Sequence, residues 1–226
     1  SFSFSLAGWP LTVEDTLSDR PLTLPPAYQT FIASGFQGFV LRISATCSFH
    51  LKGTRVFESP PIWFLERSQG ASHYGIYHDF PDLQRTLSIP DEGESALLSF
   101  GGSNRDPFLG PALELLAITR LARGDGVILH GCGVSTGGRG ILFAGESGTG
   151  KSTLSRLWAQ AEGVEVLSDD RVIVRRRNGL FCLYGTPWHG DAMFAAPGGV
   201  PLERIFFIRH GERNAVRAQA KAVSVR

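Results

Sequence analysis

Lysine is almost missing from this chain. Of 226 residues only Lys52, Lys151 and Lys221 are lysine, and arginine carries the rest of the positive charge. The formal net charge is +1, so the strongly basic balance of a general nucleic-acid or membrane-surface binder is absent. Cysteine is also sparse. Cys47, Cys132 and Cys182 are widely spaced and odd in number, with no Cys-x-x-Cys or Cys/His ligand spacing, which excludes a zinc ribbon and a disulfide framework. No apolar stretch approaches the roughly 20 residues that span a bilayer, and no signal-peptide pattern opens the chain. The expectation is a cytoplasmic protein with reduced thiols. An Asn-Lys-x-Asp guanine motif is lacking, which disfavours a GTPase switch.

What is present is a globular composition, 42% apolar and 19% charged, able to bury a core without disulfides. Residues 1–105 read as a β-rich N-terminal region. Ser1–Leu6 alternates polar and apolar, Phe39–Phe49 is β-branched and aromatic, and Val56–Glu66, His73–His78 and Leu97–Phe100 add short strands. Ser34-Gly35, Pro60-Pro61, Gly70, Pro81-Asp82 and Gly101-Gly102 punctuate them. Phe36, Trp63, Phe64, Tyr74, Tyr77 and Phe80 are most simply core or sheet-face aromatics.

Residues 106–226 read differently. Helical spacing of Leu109, Ala112, Leu113, Leu116, Ala117 and Leu121 predicts a helix from Asp106 to about Arg123, stopped by Gly124. Gly126–Val134 and Gly140–Ala144 then form an antiparallel hairpin across Thr136–Arg139. A helix from Lys151 to about Glu162 follows, with Leu154, Leu157, Trp158 and Ala161 on its buried face. Val164–Leu167 is a buried strand. Val172–Val174 and Leu180–Tyr184 flank Asn178-Gly179, a strong hairpin turn signal. Arg204–Ile208 is a further apolar strand.

Between the hairpin and the second helix, Gly145-Glu146-Ser147-Gly148-Thr149-Gly150-Lys151-Ser152 fits G-x-x-x-x-G-K-S without a mismatch. Glycines let backbone N–H groups approach phosphate oxygens unobstructed, and the following helix points its positive end at the same anion. In this reading Gly145–Thr153 cradle the phosphates of a nucleoside triphosphate. Lys151 reaches the outer phosphates, and Ser152 ligates Mg²⁺. One helix and one strand later, Ser168-Asp169-Asp170 ends the buried strand, where a Walker-B-type carboxylate belongs. One carboxylate can hold Mg²⁺ and the other can accept a proton from an attacking hydroxyl. Antiparallel pairing brings His130 to the loop's end of the sheet, as a catalytic or structural residue. Its neighbours Gly131 and Gly133 are no dinucleotide fingerprint, because a strand follows them. Trp188, His189 and Asp191 are weaker candidates for stacking on or touching a substrate, and His50, His73, His78 and His210 read as structural. Cys132 is either a reactive thiol near the loop or, more simply, a small buried hydrophobe.

Taken together, His130-Gly131, Gly133-Val134, the short hairpin, Gly145–Ser152 and Asp169-Asp170-Arg171 resemble HPr kinase/phosphorylase and the related kinases of peptide-modification gene clusters. The match runs from about Val127 to Tyr184, with a weaker echo to Arg209, and includes the fifteen-residue step from His130 to Gly145. The hairpin feeding the loop, shared with phosphoenolpyruvate carboxykinases, is its distinctive part. The resemblance implies a mixed-sheet α/β P-loop kinase core and transfer of the γ-phosphoryl of ATP, with Mg²⁺, to a serine of a peptide or small protein. It casts Asp169 as the base and Asp170 as the metal-side ligand, and puts His130 in the same site. Residues 1–105 fit the cluster-associated kinases better than the bacterial HPr enzyme, so HPr is not the expected substrate. The family's hexamers leave a homo-oligomer open. Two alternatives stay beside this one: a small-molecule kinase on the same core, and a nucleotide-dependent binding or regulatory module without transfer.

Overall fold

The computed structural model describes the chain apart from residues 16–21, 35–37, 46–50, 52, 102–104, 125, 214 and 219–226. Gly35, Phe36, Cys47, His50, Gly102 and most of the Phe39–Phe49 run beyond residue 44 therefore lie outside the described residues. The protein is a mixed α/β structure of two mixed sheets with few helices. No helix among the described residues is long and apolar enough to cross a membrane.

The first sheet has eight strands: β1 (Phe2–Leu6), β2 (Trp9–Asp15), β3 (Phe39–Ser44), β4 (Thr54–Ser59), β5 (Trp63–Ser68), β6 (Ala71–Tyr77), β7 (Leu83–Pro90) and β8 (Ser95–Phe100). Their order is β1-β2-β3-β8-β7-β6-β5-β4, with β3 parallel to both of its neighbours. The single strand read over Val56–Glu66 is two strands. Pro60-Pro61 turns the chain, so that Ser59 faces Trp63 across an antiparallel pair. β2 and β7 escaped the sequence reading, as did the short helix α1 (Pro26–Gln29). Pro10 and Pro90 disguise the two strands, and proline is tolerated there because both positions lie at strand ends.

Helix α2 (Ala112–Ala122) is shorter than its hydrophobic spacing suggests. Gly110 takes a φ of 77° and Pro111 forms the N-cap, so the helix starts after Leu109, which is left exposed. α2 buries Leu113, Leu115, Leu116 and Leu121 in a cluster that also holds Phe4, Leu41, Leu98 and Phe100 of the first sheet and Ile173 of the second. Each such side chain contributes about 1.5–3 kcal/mol by leaving water. The helix is thus the shared filling between the two sheets.

The second sheet contains β9 (Gly126–Thr136), β10 (Arg139–Ala144), β11 (Val164–Ser168), β12 (Arg171–Arg177), β13 (Leu180–Gly185) and β14 (Gly198–Phe207). Its order is β10-β14-β13-β12-β9-β11, and β10 also pairs with β9, so the ladders return to their start. The ring interior is filled by Leu142, Leu167, Val172, Val174 and Leu183. It is narrow. A Cβ on Gly133 would stand 2.8 Å from Val172, and one on Gly131 would stand 2.8 Å from Leu142, which explains the glycines flanking Cys132. Asn178 and Gly179 have φ of 49° and 82°, as a type I′ hairpin between Arg177 and Leu180 requires. Helix α3 (Lys151–Trp158) ends a turn earlier than expected. Leu154 and Trp158 pack on Phe143, Val166 and Phe206, whereas Leu157 and Ala161 are exposed. With so few turns, only one narrow stripe of the helix reaches the sheet.

Candidate functional site

β9 organises the site. On one edge it pairs with β10, from Arg139 opposite Thr136 to Ala144 opposite Gly131. On its other edge β11 and β12 run as one interrupted antiparallel partner: Val164 faces Thr136, Ser168 faces Gly133, Arg171 faces His130 and Arg175 faces Gly126. The interruption is Asp169-Asp170. Ser168 makes it, because its buried hydroxyl accepts the N–H groups of Asp170 (3.3 Å) and Arg171 (3.2 Å), a local turn that competes with the ladder. The Gly131 N–H closes on the Asp170 carbonyl at 2.9 Å. The Gly145 loop thus leaves β10 on one side of His130-Gly131, and the two carboxylates leave β11 on the other.

The loop is held by its own residues. Thr149 Oγ1 donates to the Glu146 carbonyl at 2.8 Å, and Gly148 and Gly150 have φ of 83° and 97°, a region that side chains rarely adopt. Lys151 is buried, and its ammonium donates to the carbonyls of Gly145 (2.8 Å) and Glu146 (2.7 Å). Gly150 caps α3 with no side-chain hydrogen bond. The first i→i−4 bond of α3 runs from Leu154 N–H to Gly150, so the amides of residues 151–153 have no partner within the helix and carry its positive end.

These elements enclose a cavity of about 570 Å³ lined by His130, Ser147, Gly148, Gly150, Lys151, Ser152, Thr153, Asp169, Asp170, Gly190 and Asp191. That volume lies within the range of small-ligand sites. Gly145, Glu146 and Thr149 are not on its wall. Gly145 sits behind it, where a Cβ would come within 2.9 Å of the Ile208 carbonyl.

The two aspartates have different surroundings. Asp169 is buried, and its carboxylate accepts three backbone amides: Gly190 (3.0 Å) and Phe194 (3.3 Å) on Oδ1, and Ala192 (2.8 Å) on Oδ2. It latches the loop that brings Gly190 and Asp191 to the cavity. Asp170 is half-buried. Its Oδ1 stands 2.9 Å from His130 Nε2, and its Oδ2 accepts Arg171 at 2.9 Å. Burial, and then the Lys151 ammonium, lower the His130 pKa below the ordinary histidine value against the pull of Asp170.

The other sequence candidates divide. Asp191 reaches the cavity, while His189 Nδ1 stays 3.0 Å from the Gly190 carbonyl. Trp188 does not line the cavity. Its indole N–H donates to the Tyr28 hydroxyl at 3.0 Å and its ring packs on the inter-sheet core, tying α1 to the Asp191 loop. His73 bridges Ser68 and Ser88, and His78 lies beside Asp79. His210, set aside in the sequence, donates from Nε2 to the Gly148 carbonyl at 3.0 Å and so touches the glycine loop. Glu114 was also missed. From the first turn of α2 it accepts Arg171 Nε at 2.9 Å. No local pattern marks either residue, since the contacts join parts of the chain that are distant in sequence.

Cys132 is fully buried against Val134, Phe143 and Val166, and burial pushes its thiol up to about 12. Iodoacetamide should therefore leave Cys132 unmodified in the native protein and alkylate it only after urea unfolding, as read by peptide mass spectrometry. Rapid native labelling would contradict that burial.

No protein-family model matches the chain, and no curated protein matches it significantly.

Proposed function

We propose that this protein is a P-loop kinase of the HPr kinase-like type, transferring the γ-phosphoryl of ATP to a serine hydroxyl of a peptide or small protein. One observation carries the reading. Ser147, Gly148 and Gly150–Thr153 of the glycine loop, its buried lysine among them, and the Asp169-Asp170 pair line one cavity. The hairpin that feeds the loop supports the resemblance to that family.

In this reading the loop amides and the start of α3 bind the phosphates, and the Lys151 ammonium exchanges loop carbonyls for phosphate oxygens. Ser152 and Asp170 both bring oxygen donors to the lining of the cavity. Among the described residues no group of three or more His, Cys, Asp or Glu could hold a metal by itself. That fits Mg²⁺, which takes one or two protein oxygens and completes its shell with phosphate and water. When bound, Mg²⁺ neutralises charge on the β- and γ-phosphates. Asp169 keeps one lone pair of Oδ2 beyond its amide bonds, and those bonds fix its position. It takes the serine proton as the serine oxygen bonds phosphorus and the β–γ bridge breaks, releasing ADP. The His130 imidazole lines the cavity beside the pair.

Incubation with γ-labelled ATP, Mg²⁺ and a panel of serine peptides tests this. Label recovered as phosphoserine supports the reading. Transfer to a small metabolite alone would replace the substrate class, and tight nucleotide binding with no transfer would replace the kinase with a binding module.

A further inference from the structure

A string of charged groups leads away from the cavity into the inter-sheet layer. Glu114, on the first turn of α2, accepts Arg171 Nε at 2.9 Å. The same guanidinium donates from its second nitrogen to Asp170 Oδ2 at 2.9 Å. Asp170 Oδ1 then stands 2.9 Å from His130 Nε2. All four side chains are only partly exposed, between 24% and 43%.

We propose that Glu114 and Arg171 are positioning residues that fix the orientation of the Asp170 carboxylate toward His130 and the cavity. An aspartate at a strand break has a free χ1 and χ2, and nothing in its own turn chooses among rotamers. Arg171 is the next residue in the chain and could itself swing with Asp170. Glu114 removes that freedom, because it belongs to another element. The rigid guanidinium, forked between two carboxylates, transmits the position of α2 to Asp170. Lysine would not do the same, since one ammonium on a flexible stem lacks the planar fork. α2 is in turn held by the apolar cluster it shares with the first sheet, where Leu113, Leu116 and Ala117 are essentially inaccessible to solvent. Residues 1–105 thus bear on Asp170 through their packing on α2 and the Glu114–Arg171 ion pair. Arg171 contributes a second effect, since its charge offsets one of the carboxylates that crowd the cavity.

The orientation of Asp170 follows from these contacts alone. Its catalytic consequence rests on the kinase reading above. The test uses the full chain and two readouts. In nucleotide-free protein, the ring ¹⁵N resonances of His130 report the nearby carboxylate. Arg171→Met should shift them, Glu114→Gln should shift them the same way by less, and Glu114→Gln added to Arg171→Met should add nothing, because Glu114 acts through Arg171. Arg171→Lys guards against a variant that fails to fold, and it should shift them too. In the transfer assay the same variants should lower kcat about tenfold or more with KM for ATP within about twofold, since Asp170 orientation matters to chemistry more than to phosphate binding. His130 resonances unmoved in folded Arg171→Met and Arg171→Lys, or an additive double variant, would overturn the proposal. A wild-type protein that transfers no phosphoryl group would remove the kinase reading and leave the resonance test to decide the positioning role.

Discussion

On the proposed kinase reading, Lys151→Met should lower phosphoryl transfer by about 10²–10³-fold, the scale of losing one preorganised charge-stabilising donor, while the melting temperature moves by only a few degrees. The catalytic half follows from charge. Lys151 is the only lysine of the loop, and its ammonium already stands on the loop rim, donating to the carbonyls of Gly145 and Glu146. Methionine keeps the stem and removes the charge. The stability half follows from opposed terms. Two charge-assisted hydrogen bonds are lost, each worth about 1.5–3 kcal/mol, but a buried ammonium is also relieved of its desolvation penalty. The Glu146 carbonyl is not orphaned, because Thr149 Oγ1 still reaches it. A labelled-ATP assay beside a thermal melt measures both halves. Transfer within about tenfold of wild type would mean that Lys151 does not meet the phosphates.

At Asp169 the expected result is double: transfer is lost, and stability falls as well. A carboxylate that only took the serine proton could be removed without harm to the fold. The structure changes that expectation, because the carboxylate accepts the amides of Gly190, Ala192 and Phe194. In Asp169→Ala these half-buried amides lose their acceptor, each costing up to about 1–3 kcal/mol, so stability falls measurably. Asp169→Asn should fall between, since its amide NH₂ must face a backbone N–H. Asp170 provides the contrast. It accepts no loop amide, so Asp170→Asn should lose transfer with a much smaller change in stability. Urea unfolding of the three variants, with hydrogen exchange at Gly190, Ala192 and Phe194, separates latch from chemistry. Equal stability of Asp169→Ala and Asp170→Asn would refute the latch.

Local chemistry made much of the second sheet readable. Asn178-Gly179 demanded positive φ and turned a hairpin. Glycines at 145, 148 and 150 announced a loop, and the apolar runs on either side announced a strand and a helix. The errors arose where burial depends on partners. Leu157 and Ala161 fit the helical period but face solvent, because α3 is short and meets the sheet along one stripe. Val56–Glu66 is continuous in β propensity, yet Pro60-Pro61 folds it back on itself. β2 and β7 were hidden by their prolines, which only the position at a strand end makes harmless.

The sequence by itself determined the glycine loop, the lysine within it, the carboxylate pair and their spacing along the chain, because each is written in a few adjacent residues whose backbone preferences are local. Tertiary structure alone decided that Asp169 latches the Gly190–Phe194 segment, that Glu114 braces Arg171 from across the inter-sheet layer, that His210 rests on Gly148, and that Trp188 serves the core. Those outcomes depend on which surfaces meet when two sheets close around α2. Contacts between residues 21 to 160 positions apart leave no periodic trace in the chain that makes them.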